Sequence, residues 1–84
     1  MSTSAPGAEE LGERIRKIEG QVRGIGHMVA EEAGALELLT QLAAVRGAVD
    51  AVAAAVAERE LRRRTNGGPE DAEVGALISR LVRW

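Results

Sequence analysis

The sequence predicts an all-α protein of three helices, and three observations support this prediction. Apolar residues recur every three or four positions along two long stretches, which is the spacing of one helix face. Glycine and proline are concentrated between these stretches, where helices are expected to end. No competing stretch alternates apolar and polar residues as a half-buried strand does.

The first predicted helix begins near Leu11 and carries one apolar face. Its apolar residues follow one another in steps of four, three, four, three and four: Leu11, Ile15, Ile18, Val22, Ile25 and Val29. Glutamates at positions 9, 10 and 13 favour the start of this helix, because carboxylates stabilise the positive end of the helix dipole. We expect Gly34 to end the helix and residues 1–8 to form a disordered tail, which leaves 9–84 as one helical domain.

The helix-breaking segment TNGGP separates the second and third predicted helices. The second runs from Leu36 to Arg64, about 40 Å long. Its apolar face consists of Leu38, Leu42, Val45, Val49, Val52 and Val56. Pro69 fits the first position of the third helix, which is expected to end at Trp84. One partner helix and one short helix cannot cover so long a second helix, so we expect an oligomer.

Composition excludes several classes of protein. The chain has no cysteine and one histidine, His27, which excludes disulfides, thiol chemistry and a transition-metal site built on His27 alone. Ser79 is the one serine of the predicted domain, and no paired-carboxylate pattern accompanies it, so we expect no enzyme. The first residues lack a signal-peptide pattern, and no run is expected to approach membrane-spanning length. We therefore expect a cytoplasmic protein with no membrane partner.

Basic residues are concentrated in the first helix and at the end of the second, although the formal net charge is −2. Arg14, Lys17 and Gln21 are spaced i, i+3 and i+7 and share one flank, whereas Arg16 and Arg23 lie on the other. Glycines at positions 20, 24 and 26 leave the helix surface bare between these cations, at about 1 kcal/mol each relative to alanine. Such a surface admits a polyanion or another helix. Alternatively, the cations are hydrated and pair with nearby glutamates.

Three blocks of the sequence have the order and spacing of a known family. They are RIRKIEGQVRGIGHMV followed by an acidic pair, LELLTQLAAVRGAVDAV, and the charged helix end ERELRRR. Together they closely resemble the CsoR/RcnR family of small bacterial transcriptional repressors over about residues 11–82. The resemblance implies an all-helical protomer, an antiparallel dimer of helical hairpins and a dimer-of-dimers tetramer. It also implies binding of operator DNA by a basic face of the tetramer, without a helix-turn-helix.

The resemblance assigns DNA contacts to six residues. Arg14 matches a first-helix arginine implicated in operator binding, and Arg46 lies near further DNA-facing cations of the family. The expected DNA-binding set is Arg14, Arg16, Lys17, Gln21, Arg23 and Arg46. One position departs from the pattern, because a basic residue that some members carry shortly after the second block is Ala51 here.

The sensor positions of the family carry unsuitable residues in this chain. Members sense metals or other effectors through a cysteine near the start of the second helix and a His-x3-Cys or His-x3-His pair near its end. The matching positions are Ala35, Glu60 and Arg64. Alanine has no donor atom and arginine keeps its proton, so we expect no metal and no cofactor. Glu60 and Arg64 have the spacing of a helical ion pair, which either fixes the assembly or is a relaxed former site.

These patterns predict a transcriptional repressor that binds operator DNA as a homotetramer and lacks the usual sensor site. The alternative is an interaction subunit that does not bind DNA itself and co-assembles with a sensor paralogue. The acidic net charge and Ala51 favour that alternative. Co-purification of mixed tetramers would distinguish the two.

Overall fold

Three helices make up the computed structural model of the protein, which describes residues 6–63 and 72–84. They are α1 (Ala8–Ala30), α2 (Ala35–Arg63) and α3 (Ala72–Val82). No strand occurs within the described residues, so the predicted all-α class with three helices is confirmed. Arg64 and Pro69, predicted to end the second helix and begin the third, lie outside the described residues.

The first two helices form a hairpin with a small aliphatic core. α1 packs along α2, and α3 packs on α2. Leu11, Val52 and Ala55 form one buried cluster, and the half-buried Ile18 packs against it. Ile25 is buried further along α1. Small side chains such as alanine and valine allow the two helix backbones to approach closely, which fixes the relative position of the α1 and α2 surfaces.

The turn between α1 and α2 ends the first helix earlier than the sequence indicates. α1 stops at Ala30, and the left-handed residue of the turn is Glu32 (φ 59°) rather than Gly34. The Ala33 N–H donates to the Met28 carbonyl at 2.9 Å, and the Glu32 N–H donates to the Val29 carbonyl at 3.0 Å. This is the hydrogen-bond pattern of a Schellman motif, which usually places glycine at the left-handed position.

The C-terminal end of α3 is attached to the middle of α2. The Trp84 indole Nε1–H donates to Asp50 Oδ1 at 2.6 Å. Beneath this contact is an apolar groove of about 400 Å³, lined by residues of all three helices that include Ile15, Val52 and Leu77. The groove is open to solvent along its length in a single copy of the chain.

Large apolar side chains remain exposed on every helix. Among the described residues eleven are exposed, namely Ile15, Val22, Val29, Leu36, Leu39, Leu42, Val56, Leu61, Ile78, Leu81 and Trp84. Leu36 is the extreme case, with 80% of its surface accessible. Only four apolar residues of the described part are buried, in a molecule extending 52 × 28 × 18 Å. This distribution is typical of a chain that buries apolar surface against further copies.

The α2 helix is long and apolar enough to cross a membrane by length and composition alone. The expectation that no run approaches this length is therefore wrong. The reason is that only Arg46 and Asp50 are charged between Glu37 and Glu58. Both charges lie near the middle of that run, where a bilayer makes them costly. α1 packs along one side of α2, and 11% of the apolar stretch of α2 is buried in one copy of the chain.

Candidate nucleic-acid interface

Three of the predicted DNA-contacting side chains converge on one notch between α1 and α2. Arg14, Lys17 and Gln21 project from one flank of α1 and line one side of a notch of about 280 Å³. Ala48 and Ala51 of α2 form the opposite side. Ile18 and Val52 complete the lining, so the notch combines a basic rim with an aliphatic floor. The helical spacing of the three α1 residues brings them together, and the packing of α2 makes the notch.

The two cations at the notch differ in their ion pairing. Arg14 Nη2 donates to Glu10 Oε2 at 3.1 Å, one turn earlier on the helix, and both side chains are substantially exposed. A surface pair of this kind contributes little stability and is weakened by salt. Lys17 forms no ion pair with the part of the chain that the structure describes. The Lys17 ammonium is therefore available to an anion, and the Arg14 guanidinium can exchange Glu10 for a stronger acceptor.

Arg16 and Arg23 occupy the other flank of α1, away from the notch. Both are exposed and extend along the helix surface past glycines. A Cβ added at Gly12 would lie 3.6 Å from an Arg16 guanidinium nitrogen, and one added at Gly20 would lie 3.9 Å from Arg23 Nη2. The glycines thus leave room beside the guanidinium groups, and the helix backbone between them is uncovered.

Arg46 does not join the notch within one copy of the chain. It precedes Ala51 by five residues on α2, which places it about 140° around the helix from Ala51. The residue is exposed and does not line the notch. Arg46 therefore lies on a different face of α2 from the notch.

The sensor positions predicted from the family resemblance lie at opposite ends of α2. Ala35 is the first residue of the helix and Glu60 lies in its last turn, which separates them by about 38 Å. Glu60 Oε1 accepts a hydrogen bond from Arg63 Nη1 at 2.8 Å, in a pair spaced i, i+3. Arg64, the predicted i+4 partner of Glu60, lies outside the described residues. Within residues 6–63 and 72–84, no group of three or more His, Cys, Asp and Glu side chains could hold a metal ion.

Two features of this surface were not predicted from the sequence. Ala48 and Ala51 shape the notch, whereas the sequence indicated only that a cation was missing at Ala51. The Asp50–Trp84 hydrogen bond joins residues 34 positions apart. An unpaired tryptophan at the end of an apolar helix was the available signal for a buried or hydrogen-bonded contact, but it did not identify the acceptor.

Comparison with known proteins identifies the family to which this chain belongs. The family model for metal-sensitive transcriptional repressors matches residues 8–83. The copper-sensing transcriptional repressor RicR of Mycobacterium tuberculosis is 38% identical over 84 aligned residues, covering 89% of this chain and 88% of RicR. The copper-sensing transcriptional repressor CsoR of Bacillus subtilis is 40% identical over 45 residues, covering 54% of this chain and 45% of CsoR.

A solved structure has the same fold over nearly the whole chain. The nickel-responsive transcriptional regulator InrS superposes with a TM-score of 0.75 and 29% sequence identity. The alignment covers 99% of this chain and 93% of InrS. The three helices, the hairpin and the position of α3 are therefore those of a CsoR-type protein. The chain belongs to the metal-sensitive transcriptional repressor family.

Proposed function

We propose that this chain represses transcription by binding operator DNA through the basic surface of α1. The observation that carries the proposal is the convergence of Arg14, Lys17 and Gln21 on one exposed notch, in a member of a repressor family. The family consists of transcriptional regulators rather than enzymes. A repressor of this kind acts in the cytoplasm and blocks transcription by occupying promoter DNA.

Electrostatic attraction to phosphates supplies most of the affinity in this proposal. The cations of α1 displace condensed counterions from DNA, so the affinity falls as salt increases. Gln21 adds a neutral donor and acceptor that can bond a phosphate oxygen or a base edge. The α1 surface carries no aromatic residue, so sequence preference rests on a few groove contacts and on DNA shape.

Assembly into a tetramer would bring several α1 surfaces onto one DNA face. The exposed apolar residues of all three helices support association of copies, because a single copy leaves them in water. The position of Arg46 on a different face of α2 also fits an interface in which copies contribute different cations. Repetition of one basic surface would strengthen binding through the high effective concentration of linked sites.

We further propose that DNA binding by this chain does not respond to copper or nickel. RicR is a copper sensor and InrS is nickel-responsive, but the matching residues here do not fit a metal. Ala35 offers no donor atom, and Arg64 is cationic. Glu60 offers oxygen, which Cu(I) binds poorly, and its carboxylate already accepts a hydrogen bond from Arg63.

A competition experiment tests the DNA-binding function. The labelled duplex is taken from upstream of the chain's own coding sequence, and the competitor is a shuffled duplex of equal length and composition. Specific binding requires the unlabelled upstream duplex to displace the protein at a lower concentration than the shuffled duplex. Equal displacement, or no binding, would contradict the proposal and favour an interaction subunit, which co-purification of mixed tetramers with a sensor paralogue would then identify.

A further inference from the structure

We propose that the notch between α1 and α2 binds one sugar–phosphate unit, and that Ala51 keeps it open. This inference rests on the proposed DNA-binding function and specifies what the basic surface holds. Some members of the family carry a cation at position 51, and its absence alone would indicate weaker DNA binding. The inference gives Ala51 a role of its own, through its small size.

The two kinds of surface in the notch match the two parts of a nucleic-acid backbone. The basic rim, formed by Arg14, Lys17 and Gln21, provides two cations and an amide for a phosphate oxyanion. The floor is aliphatic, formed by Ile18 and Val52, and Ala48 and Ala51 line the side opposite the rim. An isolated inorganic anion uses only the rim, whereas a deoxyribose attached to the phosphate also covers the floor and excludes water from it.

The two cations of the rim are weakly paired, which favours an incoming anion. Lys17 has no carboxylate partner among residues 6–63 and 72–84. Arg14 is held by an exposed glutamate one turn away and can be released at small cost. The notch is therefore complementary in charge to a phosphodiester before any ligand arrives, and it offers no acidic side chain along its lining.

The size of residue 51 controls access to the aliphatic floor. Ala51 is exposed at the notch, opposite the α1 cations. A leucine at this position adds apolar volume directly over the floor and leaves both cations in place. The substitution therefore separates the shape of the notch from its charge.

Anisotropy titrations of the upstream duplex with three proteins test the assignment: the parent chain, Ala51→Leu and Ala76→Leu. Ala51→Leu should weaken binding by about tenfold, because a backbone unit held off the floor by the leucine loses about one charge-assisted hydrogen bond to the rim. Ala76→Leu adds an exposed leucine on α3, outside the notch, and should bind as the parent chain does.

Competition with small ligands tests whether the sugar, as well as the phosphate, contacts the notch. Deoxyribose 5-phosphate and inorganic phosphate are compared as competitors at matched ionic strength. Stronger competition by the sugar phosphate, abolished in Ala51→Leu, would show that a free sugar phosphate also occupies the notch. Equal competition by both ligands would show that the sugar makes no contact with the aliphatic floor and would contradict the inference.

Three further results would overturn the inference. Unchanged DNA affinity in Ala51→Leu would show that the notch is not occupied, while the DNA-binding function itself would stand. A changed native mass of Ala51→Leu would show that the notch is a contact between copies. Failure of the parent chain to bind any DNA would remove both the proposed function and this inference.

Discussion

Neighbouring cations on one flank of α1 are expected to contribute unequally to DNA binding. Arg14 already donates to Glu10, so DNA must compete with that carboxylate. Lys17 lies one turn further along and has no such partner within the described residues. Lys17 should therefore pair with a phosphate without first breaking an ion pair.

Replacing Lys17 by glutamine should lower the salt dependence of DNA binding. The slope of log affinity against log salt should fall by about 0.9 for each phosphate that is no longer neutralised, because fewer counterions are released. The matched control is Arg83→Gln, which removes one exposed charge outside the notch and should leave the slope unchanged. Titrations at four salt concentrations give both slopes. An equal fall in the two variants would reflect net charge alone and contradict a specific contact by Lys17.

Residue spacing predicts part of this surface and not the rest. The i, i+3 and i+7 positions of Arg14, Lys17 and Gln21 determine a shared flank in any α-helix, so their convergence was predictable. The notch depends on how α2 packs against that flank, and periodicity within one helix carries no information about this packing. For the same reason, the sequence identified Ala51 as a missing cation and not as one side of a cavity.

Among the helices, the turn between α1 and α2 shows what the sequence does not predict, namely where a helix ends. Apolar periodicity predicts the existence of all three helices and the start of α2 to within one residue. The end of α1 depends instead on which residue adopts the left-handed conformation. Gly34 would adopt it without strain, yet the structure places Glu32 there, with a hydrogen-bonded cap around it. Because several residues near a helix end can form such a cap, the sequence does not determine its position.

Replacing Glu32 by glycine should stabilise the hairpin. The substitution relieves the strain of the left-handed backbone at residue 32. The greater flexibility of glycine in the unfolded chain offsets part of this gain, so the free energy of unfolding should rise by about 1 kcal/mol. Glu31→Gly is the matched control, because Glu31 has φ −93° and gains nothing from glycine. Urea denaturation at a fixed protein concentration measures both. Stabilisation by both variants, or by neither, would show that Glu32 is not strained.

At the scale of the whole molecule, the central feature is how little of the chain is buried in one copy. Among the described residues, four apolar side chains are buried and eleven large ones are exposed. The length of α2 and the short third helix led us to expect an oligomer from the sequence, and association of copies stays a prediction. The number and arrangement of copies depend on complementarity between faces, which the pattern within one chain does not encode.

The proposed function makes this chain a DNA-binding repressor whose family sensor positions no longer hold a metal. The most direct test is a salt series of binding to the upstream duplex, repeated with Cu(I), Ni(II) and Zn(II). We expect tight binding that weakens steeply with salt and is the same with and without each metal. Release of the DNA by any one of these metals, or binding that does not depend on salt, would contradict this function.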